Sequence, residues 1–103
     1  MKNYVIVTEK NDAILVDETR LNNYGDLNWK HELTELETQS IELLVKVDES
    51  KVKLFAYRIE ENSSIITNWK LMFSTVGNLS QKQKYFAEIG IDFYFTQVEI
   101  NND

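Results

Sequence analysis

The chain has 103 residues, 17 Asp/Glu against 11 Lys/Arg for a net charge of −6, no cysteine, no proline and 43% apolar residues. A chain of this length buries roughly 60–70% of its extended surface, enough for one compact core, and the composition excludes linker, collagen-like and disulfide-scaffold classes. No apolar run exceeds four residues, where a membrane-spanning helix needs about 20, and the stretch after Met1-Lys2-Asn3 is too short for a secretory signal, so the expectation is a soluble, cytoplasmic protein of one domain, residues 1–103.

Tyr4 to Thr8 and Ala13 to Val16 are apolar or β-branched runs separated by Glu9-Lys10-Asn11-Asp12, whose Asn and Asp tolerate turn geometry, and they predict a hairpin. Asp17 to Asn28 is polar, holds Gly25 and keeps no period, so it reads as loop. Trp29, Leu33 and Leu36 recur at i, i+4 and i+7, with Asp26 or Asn28 available as a cap, which predicts a short helix. An extended alternative places Trp29, His31 and Leu33 on one face.

From Ser40 the period shortens to two. Ile41, Leu43 and Val45 alternate with Glu42, Leu44 and Lys46, Asp48-Glu49-Ser50 reads as a turn, and Val52, Leu54 and Ala56 alternate with Lys53, Phe55 and Tyr57, which predicts a second hairpin. Apolar side chains on both faces of its second run suit a central strand. Ile65 to Thr75 supplies the third strand of an antiparallel meander. Ser80-Gln81-Lys82-Gln83 has capping-box spacing and predicts a helix that buries Tyr85, Phe86 and Ile89 and closes at Gly90. Ile91 to Ile100 alternates again as a closing strand.

The sum is an α+β fold, a mainly antiparallel curved sheet of about six strands with one or two short helices, wrapped on the helix near residues 80–89. Phe55 or Leu54, Phe73, Phe86, Phe93 and Phe95 are the core candidates, since each aromatic ring buries about 150–250 Å².

The negative charge is localised. Residues 1–50 hold five Lys/Arg and eleven Asp/Glu, whereas residues 51–103 hold six of each. A surface of this sign repels phosphate and steers basic protein surfaces toward itself. The bland reading is a general solubility device.

Chemistry-bearing patterns are sparse. The one histidine, His31, has no cysteine for company, which is a poor start for a zinc site, and none of the six serines sits in a Gly-x-Ser-x-Gly elbow. The three glycines are isolated, so no phosphate cradle is present, and no metal or cofactor is expected. Carboxylate pairs such as Glu35 with Glu37 or Asp17 with Glu18 are too easily found to single out a hydrolase. Trp29, Trp69, Tyr24, Tyr57 and Tyr94 suit either a stacking pocket or plain packing, with Trp69 and Tyr57 as a cross-strand pair. Lys51, Lys53, Arg58 and Lys70 form a small basic set.

These patterns rank a non-enzymatic inhibitory binding protein first, one that blocks a basic partner such as a nuclease or effector in the manner of immunity proteins, antitoxins or phage anti-defence proteins. The expected partner-binding residues are Tyr24, Asp26, Trp29, Glu32, Glu35, Glu37 and Glu42, the aromatics anchoring and the carboxylates steering. The second reading is a small β module that takes a ligand or nucleic acid in an aromatic pocket at Trp69 and Tyr57. An enzyme acting through paired carboxylates ranks third.

Overall fold

In the computed structural model, which describes residues 1–46 and 51–100, strands β1 (Asn3–Thr8) and β2 (Ala13–Asp17) form the first hairpin. Its turn places Asn11 at φ 65°, a conformation that asparagine tolerates better than most residues. The polar stretch after it is not all loop. The Asp17 carboxylate accepts from the Arg20 amide and starts a one-turn helix, α1 (Glu18–Leu21).

The expected helix at 29–36 is a strand, β3 (Leu27–Glu32), antiparallel to β1, and the extended alternative holds for Trp29 and His31. Leu27, Trp29 and His31 are half-buried while Asn28, Lys30 and Glu32 face solvent. The expected strand at 41–46 is instead part of helix α2 (Glu35–Lys46). Ile41 is buried and Leu44 half-buried, a helical i, i+3 pair, while Leu43 stands in solvent. The apparent alternation of Ile41, Leu43 and Val45 was therefore a coincidence of composition. The turn expected at Asp48-Glu49-Ser50 lies outside the described residues.

Strands β4 (Lys53–Glu61) and β5 (Ser64–Ser74) form the second hairpin, and β6 (Ile91–Ile100) runs antiparallel to β4 on its other side. With residues 41–46 helical, the three-strand meander is absent. β4 is nonetheless central, between β5 and β6, with Leu54, Phe55 and Ala56 all buried. The hydrogen-bonded order is β3-β1-β2-β6-β4-β5, and the β2–β6 pairing is parallel. Among the described residues the fold is thus α+β, with six strands in a mixed, mostly antiparallel arrangement and three helices.

The third helix, α3 (Val76–Glu88), begins one turn before the expected cap. Thr75 is the N-cap, its hydroxyl accepting from the Asn78 amide at 3.1 Å. Gln83 makes no capping box; its side-chain amide donates to the Phe93 carbonyl. Leu79 is buried and Phe86 packs on the core as expected, while Tyr85 and Ile89, expected beside Phe86, are exposed: Tyr85 falls on a different side of the helix and Ile89 is its C-cap. Gly90, at φ +82°, ends the helix as its sequence suggests.

The chain divides into two compact units, residues 51–97 and the remainder. In the first unit Val5, Ile6, Val7, Ala13, Val16, Ile41 and Val98 are buried. In the second, Phe55, Leu79 and Phe93 form the core, with Tyr57, Ile59, Met72, Phe86 and Phe95 packed against it. Phe73, expected in that core, is 40% exposed; it shares the face of its partner Leu54, opposite to that of Phe55 and Met72. No helix among the described residues is long and apolar enough to cross a membrane.

Candidate functional site

Thr34-Glu35-Leu36-Glu37 has the spacing of a capping box and forms one. The Glu37 amide donates to the Thr34 hydroxyl at 3.1 Å, and the Thr34 amide donates back to Glu37 Oε1 at 2.8 Å. The same carboxylate lies 2.9 Å from His31 Nε2 on β3. An ionised carboxylate can only accept, so Nε2 carries the proton and donates. The His31 ring stacks on Trp29, with centroids 5.5 Å apart and planes within 4°. Glu37 is thus the pin that fixes the first turn of α2 to the edge strand.

Burial alone would raise the Glu37 pKa. The hydrogen bond from the Thr34 backbone, helped by His31 and the Thr34 side chain, outweighs it and holds the carboxyl below the ordinary glutamate value of 4.5. A lowered folded-state pKa contributes stability above the unfolded-state value and loses it as pH falls through the folded one. Glu37→Gln keeps an acceptor for Thr34 and should flatten the acid limb of a urea-midpoint profile below about pH 4.5, where wild type declines. Glu37→Ala should cost about 1 kcal/mol at pH 7, as lost helix caps do.

The other expected partner-binding residues fall at two ends of the first unit. Tyr24 and Asp26 lie with Thr8, Glu9, Lys10 and Asp12 around a shallow depression of about 310 Å³, beside the Thr8 end of β1. Glu32 lies opposite Tyr4, near the other end, about 17 Å along β3 from Leu27. There its carboxylate is 3.5 Å from Lys2 Nζ and raises the Lys2 pKa, with smaller help from Tyr4 and Glu18. Glu35 and Glu42 are exposed on α2 and line a second shallow groove of about 440 Å³ with Met1, Lys2, Asn3, Leu33, Thr38 and Gln39. Trp29 is half-buried against His31. The seven residues therefore do not form one cluster; Glu32, Glu35, Glu37 and Glu42 share the α2 end, and Tyr24 and Asp26 the other.

Sequence reasoning missed the leucines. Leu36 and Leu43 are 72% and 65% exposed, beside Glu35 and Glu42 on the outward side of α2. Their seven-residue spacing is legible, but the period of Trp29, Leu33 and Leu36 places Leu36 on one helical face with them, and the alternation from Ile41 places Leu43 in a strand.

In the second unit, Trp69 and Tyr57 point to opposite faces of the sheet and make no cross-strand pair; the β5 partner of Tyr57 is Lys70. Tyr57 stacks on Phe93 in the core. Trp69, only 6% exposed, lies under the Arg58 guanidinium, which sits 5.4 Å from its ring centroid and 5.4 Å from that of Tyr94. Glu60 holds Arg58 in place at 2.6 Å. The chain's own cation thus occupies the ring face that a stacked ligand would take.

Among the described residues, no group of three or more His, Cys, Asp or Glu side chains is placed to hold a metal ion. Comparison with protein-family models, curated proteins and solved structures gives no match to this chain.

Proposed function

We propose that the chain is a non-enzymatic binding protein that blocks a basic protein partner, such as a nuclease or effector, through exposed carboxylates of its first unit, those of α2 foremost. The observation that supports this reading is how the cations and anions of that unit are used. Lys2 is engaged by Glu32 and Lys30 lies over the Tyr4 ring at 5.8 Å; Lys10 is exposed, but so are Glu9, Asp12 and Asp26 around it and Glu35 and Glu42 on α2. A surplus of exposed carboxylates steers a cationic surface into contact and matches it once docked. The aromatic-pocket reading has less support, because Arg58 covers Trp69.

Charge reversal at Glu35 and Glu42 tests it without touching the Glu37 cap. Protein immobilised through its C terminus should retain a protein of high isoelectric point from lysate of the source cell and release it as salt rises. The Glu35→Lys, Glu42→Lys variant should associate at least about tenfold more slowly at low salt, within the range that electrostatic steering supplies. Capture that is unchanged by the reversal and insensitive to salt rejects the reading.

A further inference from the structure

The dipeptide Glu35-Leu36 recurs seven residues later as Glu42-Leu43, and both copies lie on α2. Seven residues fall only about 20° short of two full helical turns, so the two leucines stand almost in line, about 10.5 Å apart along the axis. The fold does not use them. Its buried contacts come from a face about 100–160° round the axis from them, where Ile41 is buried, Leu44 is half-buried and Glu37 is bonded to His31, while Glu35, Gln39 and Glu42 stand exposed at the rim of the groove beside Met1, Lys2 and Asn3. In heptad terms Leu36 and Leu43 occupy one a position repeated, Glu35 and Glu42 the flanking g positions, and exposed Gln39 the d position between them.

We propose that this face of α2 is a helix-docking seam, and that its occupant is an amphipathic helix of the partner protein with apolar side chains at heptad spacing and lysine or arginine beside them. The proposal rests on the function proposed above and names the chemistry that the partner presents. Charge complementarity selects the occupant. Antiparallel pairing with a second copy would set the glutamate rows against each other, and residues 1–50 as a whole carry −6. An anionic membrane surface or a nucleic acid would meet the same repulsion. A neutral apolar helix would cover the leucines and leave the carboxylates without partners at the rim. A basic amphipathic helix satisfies both rows, the leucines closing the seam and the glutamates fixing orientation.

A 21-residue model peptide with leucine at a and d and lysine at e and g, titrated into the isotopically labelled full chain, tests the seam directly. Amide shifts should concentrate in residues 35–43, and Leu36→Gln with Leu43→Gln should weaken binding at least about tenfold. Both positions are exposed, so the variant keeps its fold, which the unchanged spectrum of the remaining residues verifies. Glu35→Gln with Glu42→Gln should instead reduce the salt dependence. Shifts centred elsewhere, or affinity indifferent to the leucine changes, overturn the proposal. Equal binding of a peptide with glutamate at e and g overturns the basic occupant. A concentration-dependent dimer in sedimentation that the leucine changes abolish assigns the seam to a second copy and overturns it too. The lysate separates the two readings. A basic protein whose capture survives the leucine changes but not the Glu35 and Glu42 reversal keeps the proposed function and removes the seam, whereas peptide binding on α2 with no basic protein captured keeps the seam and removes the inhibitor.

Discussion

Phe55→Ala should destabilise the protein by about 3–5 kcal/mol, the usual cost of deleting a buried aromatic ring. Phe55 is 1% exposed on the central strand of the second unit, meets Phe95 edge-on at 5.9 Å and shares its core with Leu79 and Phe93. Deletion would remove the ring from the middle of this cluster, where backbone pairing to β5 and β6 on both sides limits collapse into the void. Domains of this size have about 5–15 kcal/mol of total stability, so the variant should be partly unfolded near 37 °C. Urea unfolding followed by Trp69 fluorescence in a Trp29→Phe background measures the effect. A loss under about 1 kcal/mol would mean that the cluster is not the core of this unit.

Glu60→Ala has the second-largest expected effect, about 1.5–3 kcal/mol, because it leaves a charged group without its hydrogen-bond partner in a largely dry place. The side chains of Arg58 and Glu60 are 25% and 14% exposed, and Arg58 Nε finds no acceptor among the described residues. Once Glu60 is gone, the guanidinium keeps the faces of Trp69 and Tyr94 among the described residues. Replacing the pair with Arg58→Met and Glu60→Gln should recover most of the loss, since an apolar stem can lie between the two rings and no charge is stranded. A double-mutant cycle by urea denaturation reads the coupling. A double variant no better than Glu60→Ala alone would show that packing of the arginine stem, rather than pairing, is what the site supplies.

The first hairpin, the central position of β4, the Gly90 stop and the closing strand were all legible because in each of them local pattern and tertiary role agree. Residues 29–46 were not. Trp29, Leu33 and Leu36 fit a helical period across what is really a strand, a corner and a helix start, and the period alone does not reveal such a boundary. Thr34 and Glu37 did mark it, with the same Ser/Thr-x-x-Glu/Gln spacing credited at Ser80 and Gln83. At Ser80 the pattern misled, because Thr75 caps the helix five residues earlier. Of the candidate site, Glu35 and Glu42 were legible as acidic positions. The cap role of Glu37 depends on His31 being brought to it from β3, and the exposure of Leu36 and Leu43 depends on which side of α2 faces inward. Neither is a property of local sequence.

The parallel pairing of Ala13–Leu15 with Val98–Ile100 bears on how the protein is made. It closes a chain loop of some eighty residues, so β2 cannot acquire its second neighbour until β6 has been synthesised and has left the ribosome. Long-range parallel pairing is intrinsically slow, and an unpaired strand is a template for unwanted association while it waits. The β1–β2 hairpin therefore stands with one side open while the residues between β2 and β6 are made, and completion of the first unit waits on β6.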